Sequence, residues 1–188
     1  AQTGTGKTAA FILPILQTLE QGRYGIQALV LTPTRELAIQ VAKAAYEYGK
    51  RLNVRVLAVY GGQPYNLQIN RLRQGVDIVV GTPGRLLDLI NKRELDLSCV
   101  RTVVLDEADE MLNMGFVEDI EEILSTLPSE RQAALFSATI PPELGSMANK
   151  YMHSPKSITI KSKHLTVDAI EHQYCLVNKE DKLAVLTR

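Results

Sequence analysis

Two short segments of the chain carry residues whose types and spacing suit one kind of chemistry. The first is Gly4-Thr5-Gly6-Lys7-Thr8. Its glycines let successive backbone N–H groups turn toward one point, Lys7 adds a mobile positive charge, and a helix opens directly behind them, which suits a polyphosphate. The general phosphate-loop pattern has glycine six positions before the lysine, where this chain has Ala1, followed by Gln2 and Thr3. A Gly/Thr-rich turn with a hydroxyl cap would read the same way on this segment alone. The second segment is Val103-Val104-Leu105-Asp106-Glu107. A carboxylate at the C-terminal end of a buried apolar strand projects into the crevice where open α/β sheets bind ligands. Asp106 is placed to hold Mg²⁺, directly or through water, with the Thr8 hydroxyl as a second oxygen and nucleotide phosphates completing the octahedron. Glu107 is placed to orient and deprotonate an attacking water. The plainer alternative makes Asp106, Glu107 and Asp109 a solvated acidic turn before Met111-Leu112; the phosphate loop upstream favours the first reading.

Such residues work only if a scaffold brings them together. Short apolar runs ending in turn residues alternate with longer amphipathic stretches, the pattern of βαβ units. The runs are Ala28 to Leu31, Val54 to Val59, Ile78 to Val80, Val103 to Leu105, Ala133 to Phe136 and Ile158 to Ile160. Several are continuously apolar and β-branched, as parallel strands covered on both faces should be. Helices are expected at about Thr8 to Glu20, Arg35 to Leu52, Pro64 to Arg73, Arg85 to Asn91, Val117 to Ser125 and Pro142 to Met152. Leu37, Val41, Ala44, Ala45 and Tyr48 fit one helix face, packed on the sheet. Beyond residue 160 the rhythm changes. Lys161 to Thr166 is polar, Ile170 to Val177 reads as a new strand, and Lys179 to Arg188 as the start of a helix.

Composition narrows the class. A chain of 188 residues, 45% hydrophobic, has room for one well-buried domain and a little more. Lys+Arg and Asp+Glu both number 21, which excludes a polybasic arm, an acidic tail and a highly charged disordered chain. Any polyanion must therefore be held by local placement of donors. Cys99 and Cys175 stand far apart in apolar surroundings, as reduced thiols of a cytosolic protein do, and His153, His164 and His172 have no ligand spacing. No apolar run reaches the roughly 18 to 20 residues of a membrane span.

With these residues in view the chain resembles the DEAD-box family of ATP-dependent RNA helicases, in superfamily 2, whose phosphate loop tolerates alanine at the first position. The resemblance rests on Ala1 to Thr8, Pro33-Thr34-Arg35-Glu36-Leu37-Ala38, Gly61-Gly62, Thr82-Pro83-Gly84-Arg85, Asp106-Glu107-Ala108-Asp109 and Ser137-Ala138-Thr139, six motifs in the family's order. It implies an α/β, RecA-like, mostly parallel sheet with helices on both faces, truncated at both ends. Residues 1–160 would be most of the first RecA-like ATP-binding domain, 161–168 the interdomain linker and 169–188 the start of the second domain.

The resemblance also assigns roles. ATP and Mg²⁺ are the implied cofactors: Ala1, Gln2, Thr3, Gly4, Thr5, Gly6, Lys7 and Thr8 bind ATP, Lys7 on the β and γ phosphates. Thr8 and Asp106 hold the metal, and Glu107 the water. From the residues alone, Thr34 and Thr82 with Pro83 read as helix starts, and a helix N-terminus beside Arg35 or Arg85 as an anion site. The family implies that Pro33, Thr34, Arg35, Gly61, Gly62, Thr82, Pro83, Gly84 and Arg85 grip the sugar-phosphate backbone of single-stranded RNA, without sequence specificity. Few ion pairs with phosphate imply a modest salt dependence. Ser137 and Thr139 can hydrogen-bond the turn containing Asp109, or satisfy local backbone; the family implies that they couple the ATP state to unwinding. The expected whole is a cytoplasmic helicase, bound to RNA and not to membranes, with protein cofactors contacting regions outside this chain; residues 1–188 alone are expected to be nearly inactive. A superfamily 2 motor acting on DNA and an ATP-gated RNA clamp are the competing readings.

Overall fold

The computed structural model of the chain describes residues 6–159, 176–178 and 180–186. Five strands, β1 (Ala28–Leu31), β2 (Val56–Val59), β3 (Ile78–Gly81), β4 (Thr102–Leu105) and β5 (Gln132–Leu135), alternate with helices α1 (Lys7–Thr18), α2 (Arg35–Gly49), α3 (Tyr65–Arg73), α4 (Pro83–Asn91), α5 (Ala108–Asn113), α6 (Val117–Thr126) and α7 (Pro142–Tyr151). Every strand pair is parallel, and the order across the sheet is β2-β3-β1-β4-β5. Residues Ala1–Ser157 make one compact unit and Ile158–Arg188 a second, smaller one, which carries α8 (Lys182–Leu186).

The continuous apolar character of β1, β3 and β4 has a direct cause. Side chains alternate between the two faces of a strand, and here both faces are covered. Leu29, Leu31, Val79, Val103 and Leu105 join Leu86, Leu89, Met111, Ile120, Ile123, Leu144 and Met147 in one core layer. Their neighbours Ala28, Val30, Ile78, Val80 and Val104 face the other way, onto Phe11, Ile12, Ile15, Ala38, Val41 and Ala45. β1 lies in the middle with all four residues buried, whereas β5 runs along an edge, half-buried at Ala133, Ala134 and Leu135. Pro14 sits inside α1 on its exposed side, where the missing N–H costs one helical hydrogen bond without disturbing the core.

Strand register decides where the loops gather. Leu31 is opposite both Gly81 and Leu105, Val59 is opposite Gly81, and Leu105 is opposite Leu135. All five strands therefore end level, and the loops after them share one edge of the sheet. Gly81 makes the tight packing there possible: a Cβ at this position would lie 2.6 Å from the Val59 carbonyl oxygen and 2.9 Å from the Leu86 side chain.

Three expectations need correction, and a fourth, the strand expected over Ile170 to Val177, lies mostly outside the described residues. On α2 the buried stripe is Ala38, Val41, Ala45 and Gly49, and Tyr48 is 49% exposed. The small residues let α2 rest close against α1 and the sheet, which turns the tyrosine outward. The acidic segment before Met111 forms α5, entered from a left-handed Glu107. Ile158 and Thr159 are irregular and Ile158 is 88% exposed, because β-branched residues make a strand only where a neighbour pairs with them. Ile160 and residues 161–175 lie outside the described residues, and Leu176 to Asn178 are irregular.

Candidate functional site

Helix α1 starts from Gly6, whose backbone is left-handed (φ 81°), and this places Lys7 and Thr8 at the helix N-terminus. Ala1, Gln2, Thr3, Gly4 and Thr5 lie outside the described residues. Lys7 stands close enough to Asp106 for its charge to act on the carboxyl, so two segments far apart in sequence meet in one place. The Phe11 ring of α1 packs on Phe136, centroids 5.2 Å apart, which fixes α1 against the end of β5.

Asp106 follows the last residue of β4 and is only 3% exposed. Burial pushes its carboxyl above the usual range, Lys7 pulls it back, and Glu107 adds to the rise. The Glu107 amide donates to Asp106 Oδ1 at 3.1 Å, while Glu107 itself holds φ 52°. A left-handed glutamate costs about 1 kcal/mol or more, and such strain concentrates where a side chain must be aimed. The Ala108 amide closes the turn by donating to the Phe136 carbonyl at 3.1 Å. The donor set here, one buried carboxylate and one hydroxyl at a helix N-terminus, consists of hard oxygens and fits Mg²⁺ that keeps waters and phosphate oxygens as its other ligands.

Asp109, in the first turn of α5, faces the end of β5. Its Oδ2 accepts hydrogen bonds from the Thr139 amide and the Thr139 hydroxyl, each at 2.9 Å, and its own amide donates to Ser137 Oγ at 3.3 Å. Partial burial pushes the Asp109 carboxyl up, but the hydrogen bonds from Thr139, Ser137 and the Ala138 amide outweigh it and hold the group below the usual range. The acidic turn and the Ser137-Ala138-Thr139 segment are thus latched together.

On the other side of β1 lie the remaining motif residues. Thr34 caps α2, its hydroxyl accepting from the Leu37 amide at 3.2 Å, behind a buried Pro33. Thr82 precedes α4 with Pro83 in the first turn, and its side chain makes no cap bond. Gly61 and Gly62 form the turn after β2; Gly62 has φ 83°, and a Cβ there would approach Arg35 Nη1 at 3.6 Å. The Arg35 guanidinium lies 5.1 Å from the Tyr60 ring centroid, and that of Arg85 lies 4.1 Å from the Tyr65 centroid while donating to the Gln63 carbonyl at 3.0 Å. Gly84 faces Asp119 Oδ2 at 3.7 Å, measured from a would-be Cβ. Tyr60, Gln63 and Tyr65 were not legible as site residues in the sequence. Their only signal is that they flank the Gly61-Gly62 pair.

This geometry groups the lysine, the paired carboxylates and the hydroxyl segment at the ends of β4 and β5, and the two arginine-bearing helix starts at the ends of β1 and β3. A family model described as DEAD/DEAH box helicase matches residues 1–147. The chain belongs to the DEAD/DEAH box helicase family. Among its relatives, an ATP-dependent RNA helicase CshA of Listeria monocytogenes is 53% identical over all 188 residues, which make up 36% of that protein. A DEAD-box ATP-dependent RNA helicase CshA of Geobacillus kaustophilus is 52% identical, again over the whole of this chain and 40% of the relative. The chain thus spans well under half the length of these curated relatives. A solved DEAD box protein of Methanococcus jannaschii superposes with a TM-score of 0.83 at 44% identity, over 99% of this chain and 50% of that one. A hypothetical ATP-dependent RNA helicase of Sulfolobus tokodaii gives 0.76 at 48% identity, over 83% and 45%. The five-stranded parallel sheet is accordingly a RecA-like helicase fold of the DEAD-box type. Among the described residues no helix is long and apolar enough to cross a membrane.

Proposed function

We propose that this DEAD-box chain is the nucleotide-binding part of an ATP-dependent RNA helicase. In this reading residues 1–160 are the first RecA-like domain, 161–168 the linker and 169–188 the start of the second domain. Ala1 to Thr8 wrap the phosphates, Lys7 neutralises the β and γ groups, and Thr8 with Asp106 would hold Mg²⁺, which when bound offsets charge on the transferring phosphoryl group. Glu107, aimed by its left-handed backbone, orients the attacking water and takes its proton. Arg35 and Arg85, with the helix N-termini at Thr34 and Thr82 and the turn at Gly61-Gly62, hold RNA phosphates at the level ends of β1, β2 and β3. The Asp109–Thr139 latch joins the carboxylate turn to the β5 end and supports a coupling role for Ser137 and Thr139. Grip through a few guanidiniums and helix ends fits a chain with zero net charge. RNA is the partner, read as backbone without base specificity, and the cytoplasm is the expected compartment.

The observation that supports this most is that buried Asp106, within reach of the Lys7 charge from the first motif, follows β4 at the same level of the sheet where β1 and β3 end in the two arginine sites. The test is Glu107→Gln in the complete protein. ATP and RNA affinities should stay within about twofold while turnover falls by at least about 10², the scale of losing a general base. Unchanged single-turnover hydrolysis would remove Glu107 from this role.

A further inference from the structure

Arg85 does not stand free at its strand end. Its guanidinium carbon lies 4.1 Å from the Tyr65 ring centroid, and the Lys92 ammonium lies 3.6 Å from the same centroid. The Tyr65 hydroxyl donates to Asp88 Oδ2 at 2.6 Å. Arg85, Asp88 and Lys92 recur at helical spacing along one face of α4 and its C-cap, and Tyr65, the first residue of α3, sits on that face. A carboxylate in the place of this ring would hold the guanidinium by neutralising it. The aromatic face holds it through the ring quadrupole and leaves the positive charge uncancelled. Asp88, the carboxylate on the same helix face, is engaged by the Tyr65 hydroxyl. The Gln63 carbonyl takes one N–H of Arg85, so the remaining donors keep a defined direction.

From this arrangement we infer that Tyr65 is a positioning residue for RNA binding: it fixes the Arg85 guanidinium, undischarged, for a backbone phosphate. The inference rests on the proposed RNA contact of Arg85 and adds to it the group that aims the contact. Tyr60 stands in a similar relation to Arg35, at 5.1 Å, but is buried in the core and so less suited to substitution.

The test uses the complete protein, a short labelled oligouridylate and a non-hydrolysable ATP analogue. Tyr65→Phe keeps the ring under Arg85 but releases Asp88, so it should lose less RNA affinity than Tyr65→Leu. Tyr65→Leu should weaken RNA binding about two- to fivefold, the worth of an exposed cation–π contact, and add nothing in an Arg85→Ala background. The salt slope should drop by about one charge in Arg85→Ala and stay unchanged in Tyr65→Leu, which keeps the arginine. Phenylalanines of increasing fluorine content at position 65 preserve shape and packing while draining the ring face. Affinity should fall stepwise along that series, a response that packing alone would not produce. A flat fluorine series, or a Tyr65→Leu loss that persists in full without Arg85, would overturn the positioning role while leaving the RNA site standing. If Arg85→Ala itself bound RNA normally, the RNA assignment of Arg85 would fall, and this inference with it.

Discussion

The Asp109–Thr139 latch gives a stability prediction that can be worked through from the structure. Asp109 Oδ2 takes two hydrogen bonds, both at 2.9 Å, from the amide and hydroxyl of Thr139. Hydrogen bonds to a charged partner are worth about 1.5–3 kcal/mol each when protected, but this pair is largely open to water, which reduces the sum to about 1–2 kcal/mol. Asp109→Asn keeps an acceptor and loses the charge, so it should destabilise the chain by about 1 kcal/mol at neutral pH. Thr139→Val removes the hydroxyl donor, and the two changes together should fall short of additivity by at least about 0.5 kcal/mol because they break the same contact. The pH dependence follows from the lowered pKa of Asp109. Asp109 has a folded-state pKa below its ordinary value of 3.8, so its contribution is complete above the unfolded value and is lost as the pH falls through the folded one. Urea unfolding of wild type and Asp109→Asn should therefore show a gap at pH 6–7 that narrows steadily below about pH 4. A gap that ignores pH, or full additivity with Thr139→Val, would refute the latch.

Other residues give equally direct outcomes. Gly81→Ala should destabilise the sheet by about 2–3 kcal/mol in thermal or urea unfolding, because the new Cβ meets a ladder carbonyl that cannot withdraw. Lys7→Ala should weaken ATP binding about 10- to 100-fold in a calorimetric titration, the loss of one charge-assisted phosphate contact. Asp106→Asn should raise the melting stability of the ligand-free protein by about 1 kcal/mol, since it removes a charge held against burial, while abolishing Mg²⁺-dependent turnover.

Much of this architecture was visible in the residues themselves. Continuous runs such as Leu29-Val30-Leu31 and Ile78-Val79-Val80 announce strands buried on both faces, and chemistry-bearing residues directly after such runs announce a ligand edge. The strand order was not legible, because it depends on which apolar faces fit together across the sheet. The Ile158 run misled because Ile158 and Thr159 have strand propensity but pair with no strand among the described residues. α5 hid behind an acidic turn because the residue that leads into it, Glu107, adopts a conformation that glutamate rarely takes. Tyr60 and Tyr65 escaped notice because an aromatic ring under a guanidinium is a tertiary contact between segments that the sequence separates widely.

Whether the level strand ends join an ATP site to an RNA grip is decided by steady-state ATP hydrolysis. The complete protein is assayed with single-stranded RNA and with DNA of the same sequence, as wild type and as an Arg35→Ala/Arg85→Ala variant. Strong stimulation by RNA, little by DNA, and loss of the RNA response in the variant with ATP affinity retained is the expected result. Equal stimulation by DNA, or a full RNA response without the two arginines, would contradict it.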